Sequence, residues 1–412
     1  MKGVVYTKKL IAIALCLLLT GCQFLPHDDP ASFPDRVTTA QTNNVPEVQP
    51  NVTEVHPDTA AIRLSNSIDE WEKIFRELPL IGIEVTGGFG KYFCGYDLSV
   101  MAGDGSNFCI FDDRGTAVEF NYPDGFEAGA QQGLACADGC LYELRRSYSA
   151  QDSIFLVRTD GELNTEIVGE IPYSLDNDDR LRIRPAGDGV IVGRTVETYD
   201  NEGGHEAEYT AWLYDPENGL REIIHEKMSE VEGESDTSGV GIFGAGIIGD
   251  EIRAVGYGRR DGVLELILLR YSFEGNLLGT KKLADLPEQH YSGSSLYRVA
   301  DFEAFPIGNG GAVRSGEVFS LYFPGDDDPV TDLDGYGTLG GRYYMMAGVG
   351  EFTVVYDIET GLASSCFNGE FKDVDERIIA TDNGFIFDAD GKLWFVSNDD
   401  IAGLPWEEWD YR

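Results

Sequence analysis

Apolar and polar positions alternate along this chain in a recurring short phrase. An apolar, β-branched or aromatic run is followed by an acidic turn ending in glycine, and then by another such run. The plainest copies lie between Glu351 and Ser397. In Phe352-Thr-Val-Val-Tyr-Asp-Ile-Glu-Thr-Gly361 the run Phe352 to Tyr356 has strong strand propensity. Asp357 to Gly361 supplies the turn, with Gly361 free to take positive φ. Strand, acidic turn and strand predict a β-hairpin. The phrase recurs as Phe108-Cys-Ile-Phe-Asp-Asp-Arg-Gly115, Ile154-Phe-Leu-Val-Arg-Thr-Asp-Gly161 and Ala211-Trp-Leu-Tyr-Asp-Pro-Glu-Asn-Gly219. It returns as Leu266-Ile-Leu-Leu-Arg-Tyr-Ser-Phe-Glu-Gly275, Val318-Phe-Ser-Leu-Tyr-Phe-Pro-Gly325 and Gly384-Phe-Ile-Phe-Asp-Ala-Asp-Gly391. That makes about seven copies at intervals of roughly 33 to 57 residues, a period typical of solenoids, arrays and propellers. The units show no 3.6-residue periodicity, which removes helical solenoids. A blade of four short antiparallel strands fits the spacing.

The expected fold is therefore all-β: a β-propeller of seven blades, with six or eight as alternatives and a pair of β-sandwiches as the competing architecture. The first blade spans about residues 80–122, and the second contains Gly133-Leu-Ala-Cys-Ala-Asp-Gly-Cys140 and Thr165 to Ile171. The third runs from Leu181 to His225 and the fourth from Gly241 to Leu283. The fifth, sixth and seventh cover about 297–333, 335–367 and 376–400. The seventh looks short, and Ile81-Gly-Ile-Glu-Val85 is the candidate to complete it, which would hide sheet edges. Upstream, residues 67–78 read as a short amphipathic helix. Ser67 and Glu70 form a capping-box pattern. Ile68, Trp71, Phe75 and Leu78 share one face, and Pro79 stops the helix. Such a stripe is expected to dock on the β domain. Glycine, 50 of 412 residues, exceeds the usual share of about 7%, as many tight turns require.

The N-terminus reads differently. Lys2, Lys8 and Lys9 precede the apolar run Leu10 to Leu19, which is too short to span a bilayer and suits the core of a signal peptide. Leu19-Thr20-Gly21-Cys22 resembles the lipobox of bacterial lipoproteins. The resemblance implies cleavage before Cys22, a diacylglyceryl thioether on its sulfur, and an extracytoplasmic location at the cell membrane or outer membrane. Several acyl chains anchor stably where one does not. The expected organisation is a leader over 1–21, a lipidated cysteine and disordered tether over 22–58, a helical segment over 59–79 and the propeller over 80–412. The tether carries Pro26, Pro30, Pro34, Pro46, Pro50 and Pro57 among polar residues. It would hold the folded part some 30–35 Å from the membrane, at about 5–6 Å times the square root of its length.

A second resemblance lies near the other end. Asp388-Ala-Asp-Gly-Lys-Leu-Trp-Phe-Val-Ser397 is similar to the D-x-x-G-x-L-W-x-x-[ST] phrase of propeller repeats in two-component-regulator sensor domains and NHL-type propellers. It implies the fold and carries no catalytic residue. The Asp-box of sialidases, S-x-D-x-G-x-T-W, is not met, because the Asp-to-Gly gap differs and the serine is absent.

Charge narrows the partners. With 31 Lys and Arg against 72 Asp and Glu the formal net charge is −41. Such a field repels nucleic acid and anionic polymers, and nucleic-acid binding is excluded. Otherwise it reads as the solubility of an exported protein, and the chain is expected to be a monomer. Export permits disulfides. Cys136 and Cys140 bracket a three-residue turn and are the first disulfide candidates. Cys94 and Cys109, on neighbouring strands, could also pair, which leaves Cys366 as an odd buried thiol. The cysteine spacing does not suit zinc, and neither metal nor cofactor is expected. Calcium would have to use the Asp-rich turns Asp326 to Asp328, Asp332 to Asp334 or Asp388 to Asp390, none with a full set of alternating ligands.

Catalytic constellations are few. The histidines are His27, His56, His205, His225 and His290, and no H-E-x-x-H, G-x-S-x-G, S-x-x-K or phosphate loop is present. No catalytic residue is assigned. Two readings of function remain. One is a non-enzymatic binding or scaffold module of the cell envelope that engages a protein, glycan or small ligand. The other is a surface carbohydrate-active hydrolase or lyase using acidic residues at the propeller channel. The channel lining discriminates them, since glycoside hydrolysis needs two facing carboxylates.

Overall fold

The computed structural model describes residues 74–407, apart from 81, 98–107, 149, 175–179, 200–203, 232–237, 261, 287–301, 316–317, 324–329, 335, 350–351, 368–373 and 390–391. The described strands form seven antiparallel sheets, six of four strands and one of five. Each sheet is one blade of a propeller. In the first six blades, strands run in chain order from the inner position outward. The inner strands are Ile83–Phe89, Ala128–Ala137, Arg180–Ala186, Gly241–Ile248, Phe302–Ile307, Tyr336–Gly340 and, in blade 7, Val374–Ala380. Blade 3 has the longest strands, Gly204–Asp215 and Gly219–Val231, and carries Ser238–Gly239 as a fifth.

Two kinds of turn recur among the blades. Six blades join their first two strands through a two-residue connection, seen in the pairings Phe89↔Tyr92, Ala137↔Cys140, Ala186↔Gly189, Ile248↔Glu251, Ile307↔Gly310 and Gly340↔Tyr343. Each contains a glycine at positive φ, as at Gly187 with φ 59°. This conformation matches the twist of the flanking strands and is strained for a residue with Cβ. In blades 1 to 4 and 6 the acidic-Gly phrase lies between the third and fourth strands, and in blade 7 its copy lies between the second and third, Gly384–Ala389 and Lys392–Ser397. In blades 1 and 2 an aspartate carboxylate accepts the amides two and four residues on. Asp112 Oδ1 accepts from Arg114 N and Thr116 N at 3.0 and 2.8 Å. Asp160 Oδ1 accepts from Glu162 N and Asn164 N, both at 2.9 Å. The repeated acid is therefore a turn-forming acceptor.

The ring closes by joining chain ends that are distant in sequence. Blade 7 has the order Val374–Ala380, Gly384–Ala389, Lys392–Ser397, Arg76–Leu78, so the first described strand is its outermost. It pairs in three registers, Arg76↔Phe395, Glu77↔Trp394 and Leu78↔Leu393. Lys392 Nζ adds an ion pair to Glu77 at 3.0 Å, and Arg76 stacks over the Phe395 ring at 5.0 Å. This corrects one expectation and shortens another. Ile83–Phe89 is the inner strand of blade 1, so Ile81 to Val85 does not complete blade 7. Of the expected helix over 67–78, residues 67–73 lie outside the described residues and Arg76–Leu78 are strand. Beyond blade 7, a helix absent from the sequence reading spans Asn398–Ala402, capped by Ser397, whose Oγ accepts from Asp400 N at 3.1 Å. It brings Ile401 and Leu404 into the core between blades 6 and 7, where Trp406 stacks on Tyr343.

Seven apolar clusters hold the ring, one at each junction between neighbouring blades. Blade 7 is also tied to blades 1 and 2 by a polar clasp. Its first hairpin replaces the two-residue turn by Thr381-Asp382-Asn383-Gly384. Asp382 Oδ2 accepts from Gly90 N at 2.9 Å in blade 1 and from Gly139 N at 3.0 Å in blade 2. Asp382 N donates to Gly88 O at 2.9 Å. One carboxylate thus joins the inner turns of three blades.

Candidate functional site

The inner strands enclose a central cavity of about 340 Å³. Its lining comes from six blades, including Thr86 of blade 1, Leu134 of blade 2, Leu181 to Pro185 of blade 3, Phe305 of blade 5, Thr338 of blade 6 and Ile379 of blade 7. Much of the wall is apolar. The charged groups are concentrated on one side, where Arg182, Arg184, Glu303 and Arg314 meet.

Strand alternation explains how the arginines gather. In Arg180-Leu-Arg-Ile-Arg-Pro-Ala186 a period of two places Arg180, Arg182 and Arg184 on one face and Leu181, Ile183 and Pro185 on the other. Ring closure then brings blade 5 alongside. Arg182 Nη1 donates to Phe302 O at 2.6 Å and Phe243 O at 3.2 Å. Arg184 donates to Ala304 O at 2.6 Å and to Glu303 Oε1 at 2.9 Å. Glycine at 244 leaves room for this, since a Cβ there would lie 3.0 Å from Arg184 Nη1 and 2.2 Å from Ala304 O. A small side pocket beneath the row is lined by Arg180, Arg182 and Arg184 with Thr195 and Tyr209.

The electrostatics are one-sided. Burial pulls the Arg182 guanidinium below its usual pKa, against the attraction of Glu303. Burial alone would push the Glu303 carboxyl up, but Arg184 and Arg182, with Arg314, outweigh it and hold the carboxyl below its usual range. Glu303 is hemmed in by protein yet its side chain keeps 43% of its exposure, because it borders the open cavity. Glu303 is the one carboxylate among the described lining residues, against three lining arginines. In a chain of net charge −41 this cavity is locally cationic. Among the described lining residues a two-carboxylate glycosidase mechanism lacks its second carboxylate.

A second buried polar cluster lies between blades 1 and 2. Glu143 Oε1 accepts from Arg145 Nη2 at 2.6 Å, Arg145 Nε at 2.9 Å and Gln131 Nε2 at 2.8 Å. The Tyr122 hydroxyl also donates to Glu143, and the Tyr96 hydroxyl donates to Gln131 Oε1 at 2.9 Å. Arg145 sits over the Phe108 and Tyr122 rings at 5.2 and 5.3 Å. Burial, then the neighbouring Glu143, pushes the Tyr122 hydroxyl pKa up. Every charge here is met within the protein, and the cluster reads as a structural knot between blades.

The cysteines expected to pair are kept apart by register. Cys136 stands opposite Leu141 and Cys140 opposite Ala137, so the two thiols point to opposite faces of blade 2. Cys94 and Cys109 are separated in the same way, Cys94 opposite Ile110 and Cys109 opposite Gly95. All four are free thiols. Cys22, His27, His56, His290, Asp326 to Asp328 and Asp390 lie outside the described residues. His205 is buried beside Glu197 at 3.5 Å, and His225 is on the outside of blade 3 between Glu208 and Glu222. Among the described residues no group of three His, Cys, Asp or Glu side chains is placed to hold a metal ion.

No protein-family model matches this chain, and no curated protein matches it. Among solved structures it is similar to the WD40 domain of SCAP from fission yeast, at 8% identity and TM-score 0.29, over 78% of this chain and 97% of that one. It is similar to the α-L-arabinofuranosidase Arb93A from Fusarium graminearum, at 10% identity and TM-score 0.30, over 68% and 96%. A third likeness is the β-propeller domain of the trilobed protease from Pyrococcus furiosus, at 12% identity and TM-score 0.27, over 80% and 100%. Such low scores carry no functional conclusion. The chain is a seven-bladed β-propeller by its own strand pairing.

Proposed function

We propose that this protein is an extracytoplasmic binding module of the bacterial cell envelope, anchored through a lipidated Cys22, whose central channel takes a small anionic ligand. The arginine cluster carries the reading. Arg182, Arg184 and Arg314 face one carboxylate in a cavity of about 340 Å³, a size within the usual range for small-molecule sites. Arg182 is half-buried, Glu303 only partly offsets the cost of that burial, and an incoming carboxylate or phosphate would supply further compensating charge. The apolar wall contributed by Leu134, Phe305 and Ile379 suits the carbon skeleton of such a ligand.

Titration calorimetry at low salt tests this, with citrate, glucuronate and glucose 6-phosphate against neutral glucose. Binding is expected for anions, falling with added salt, and weakened roughly tenfold or more in Arg314→Ala, the effect of losing one charge-assisted hydrogen bond of about 1.5–3 kcal/mol. Equal binding of glucose, or unchanged affinity in Arg314→Ala, would overturn the proposal. The membrane anchor is tested separately by mass spectrometry of the native N-terminus and by release of Cys22→Ala into the soluble fraction.

A further inference from the structure

The cysteine pairs suggested by spacing are on opposite faces of their sheets, but the ring brings two other thiols together. Cys94 lies on the second strand of blade 1, opposite Gly87, and Cys136 on the inner strand of blade 2. They share one apolar cluster with Phe89, Ile110 and Leu141. Their exposures are 0% and 4%. A Cβ built on Gly87 would lie 3.0 Å from the Cys136 sulfur and 3.1 Å from the Cys94 sulfur. Both sulfurs therefore crowd the same point, and glycine at 87 is what leaves them room. The neighbouring Cys94 thiol, together with burial, pushes the Cys136 thiol well above its usual pKa.

We propose that Cys94 and Cys136 are a disulfide-forming pair that crosslinks blade 1 to blade 2. The chemistry is exchange with an external disulfide, R–S–S–R. One cysteine thiolate attacks a sulfur of R–S–S–R and displaces one R–S⁻, which is protonated. The second cysteine thiolate attacks the protein sulfur of that mixed disulfide and displaces the other. One Cys94–Cys136 bond forms, one R–S–S–R is reduced to two R–SH, and two electrons and two protons leave the protein pair. Protonated, buried thiols exchange slowly in the closed ring. The bond therefore forms while blades 1 and 2 are apart, during folding or local opening. Once made, it is shielded from reductants by the same packing.

The link would span residues distant enough in sequence to restrict the unfolded chain appreciably. It would act at the blade junction that also receives the Asp382 clasp, so covalent and polar ties reinforce the same part of the ring.

The test uses the full chain, refolded with oxidised glutathione or with a phosphine reductant. Non-reducing digestion with an aspartate-directed protease separates all four thiols, because Asp97 and Asp104 lie between Cys94 and Cys109 and Asp138 lies between Cys136 and Cys140. The expected product of the oxidised sample is a crosslinked peptide pair containing Cys94 and Cys136, absent after reduction. A melting midpoint several degrees higher in the oxidised form is expected. That difference should survive in Cys140→Ser and vanish in Cys136→Ser, with circular dichroism showing that both variants fold. Crosslinks through Cys109, Cys140 or Cys366, or free thiols at 94 and 136 after oxidative refolding, would overturn the assignment.

Discussion

Replacing Asp382 by alanine removes the acceptor that joins three blades, and the size of the effect follows from its partners. Oδ2 accepts two backbone amides, Gly90 N at 2.9 Å and Gly139 N at 3.0 Å. Hydrogen bonds to a charged group are worth about 1.5–3 kcal/mol each. Two features reduce that figure. The Gly90 bond is exposed, so water can replace the lost acceptor. Burial also raises the Asp382 pKa, and Oδ1 is buried with no partner among the described residues, so the ionised form is itself disfavoured. A net loss of about 2–3 kcal/mol is expected, equivalent to roughly 3–4 °C in the melting midpoint for a domain of this size. Asp382→Asn retains an oxygen acceptor without the charge and should lose less than half as much. The pH dependence has a defined sign. A carboxyl whose folded pKa is raised favours the fold below its unfolded pKa, and that contribution is lost as pH rises through the folded value. Asp382→Asn should remove that part of the slope. Calorimetric melts of both variants, with amide exchange at Gly90 and Gly139, measure the effect. A midpoint for Asp382→Ala within about 1 °C of the parent, or equal losses for Ala and Asn, would refute the clasp.

Three further outcomes can be checked on the same material. Glu143→Ala leaves Arg145 buried and unpaired between blades 1 and 2 and should cost about 3–5 kcal/mol in urea unfolding; a loss under about 1 kcal/mol would contradict the knot. Acid should destabilise the ring through its turns. Hydrogen bonds from Thr116 and Arg114 lower the Asp112 pKa, while at Asp357 bonds from Arg342 and the turn outweigh burial. Carboxylates with lowered folded pKa stabilise above the unfolded Asp value and lose that contribution as pH falls through the folded one. Asp357→Asn should therefore flatten the decline below about pH 4, and an unchanged decline would count against it. Finally, Gly189→Ala places a Cβ 1.9 Å from Tyr214 O and should cost on the order of 2–4 kcal/mol, while Gly279→Ala, with nothing within 4 Å, should be near neutral; equal melting midpoints would show that the strands yield.

The blades were legible because their turns are written locally. An aspartate whose carboxylate accepts the amide two residues on, followed by a glycine, specifies the same hairpin wherever it occurs, so Asp112, Asp160 and Asp357 marked blades 1, 2 and 6 before any contact was known. Closure was not local. Phe75 and Leu78 carry a helix-like spacing, yet their burial is set by blade 7, some three hundred residues later, and a three-residue strand is too short to show a period of its own. The channel was hidden for the same reason. Arg180, Arg182 and Arg184 alternate with apolar residues and read as an ordinary polar strand face, and only the ring sets Glu303 and Arg314 beside them. Sequence spacing misled about the cysteines because strand parity decides facing. The tight turn at Asp138 and Gly139 puts Ala137, not Cys136, across from Cys140.

The strand Arg76–Leu78 also sets how the molecule bears load. Its backbone is held by three residue pairs, helped by one exposed ion pair, the Arg76–Phe395 stack and the buried Leu78, whereas the other blade-7 strands are longer and continuous in sequence. A pull applied through the residues before Arg76 enters the ring at that strand, and the first thing to yield is the latch of blade 7. The remaining blades would keep their own pairings while the circle opens at one seam. A chain tethered from that side therefore behaves as a ring with a built-in weak link, and the opening force measured by single-molecule pulling is the strength of that short strand rather than of the propeller.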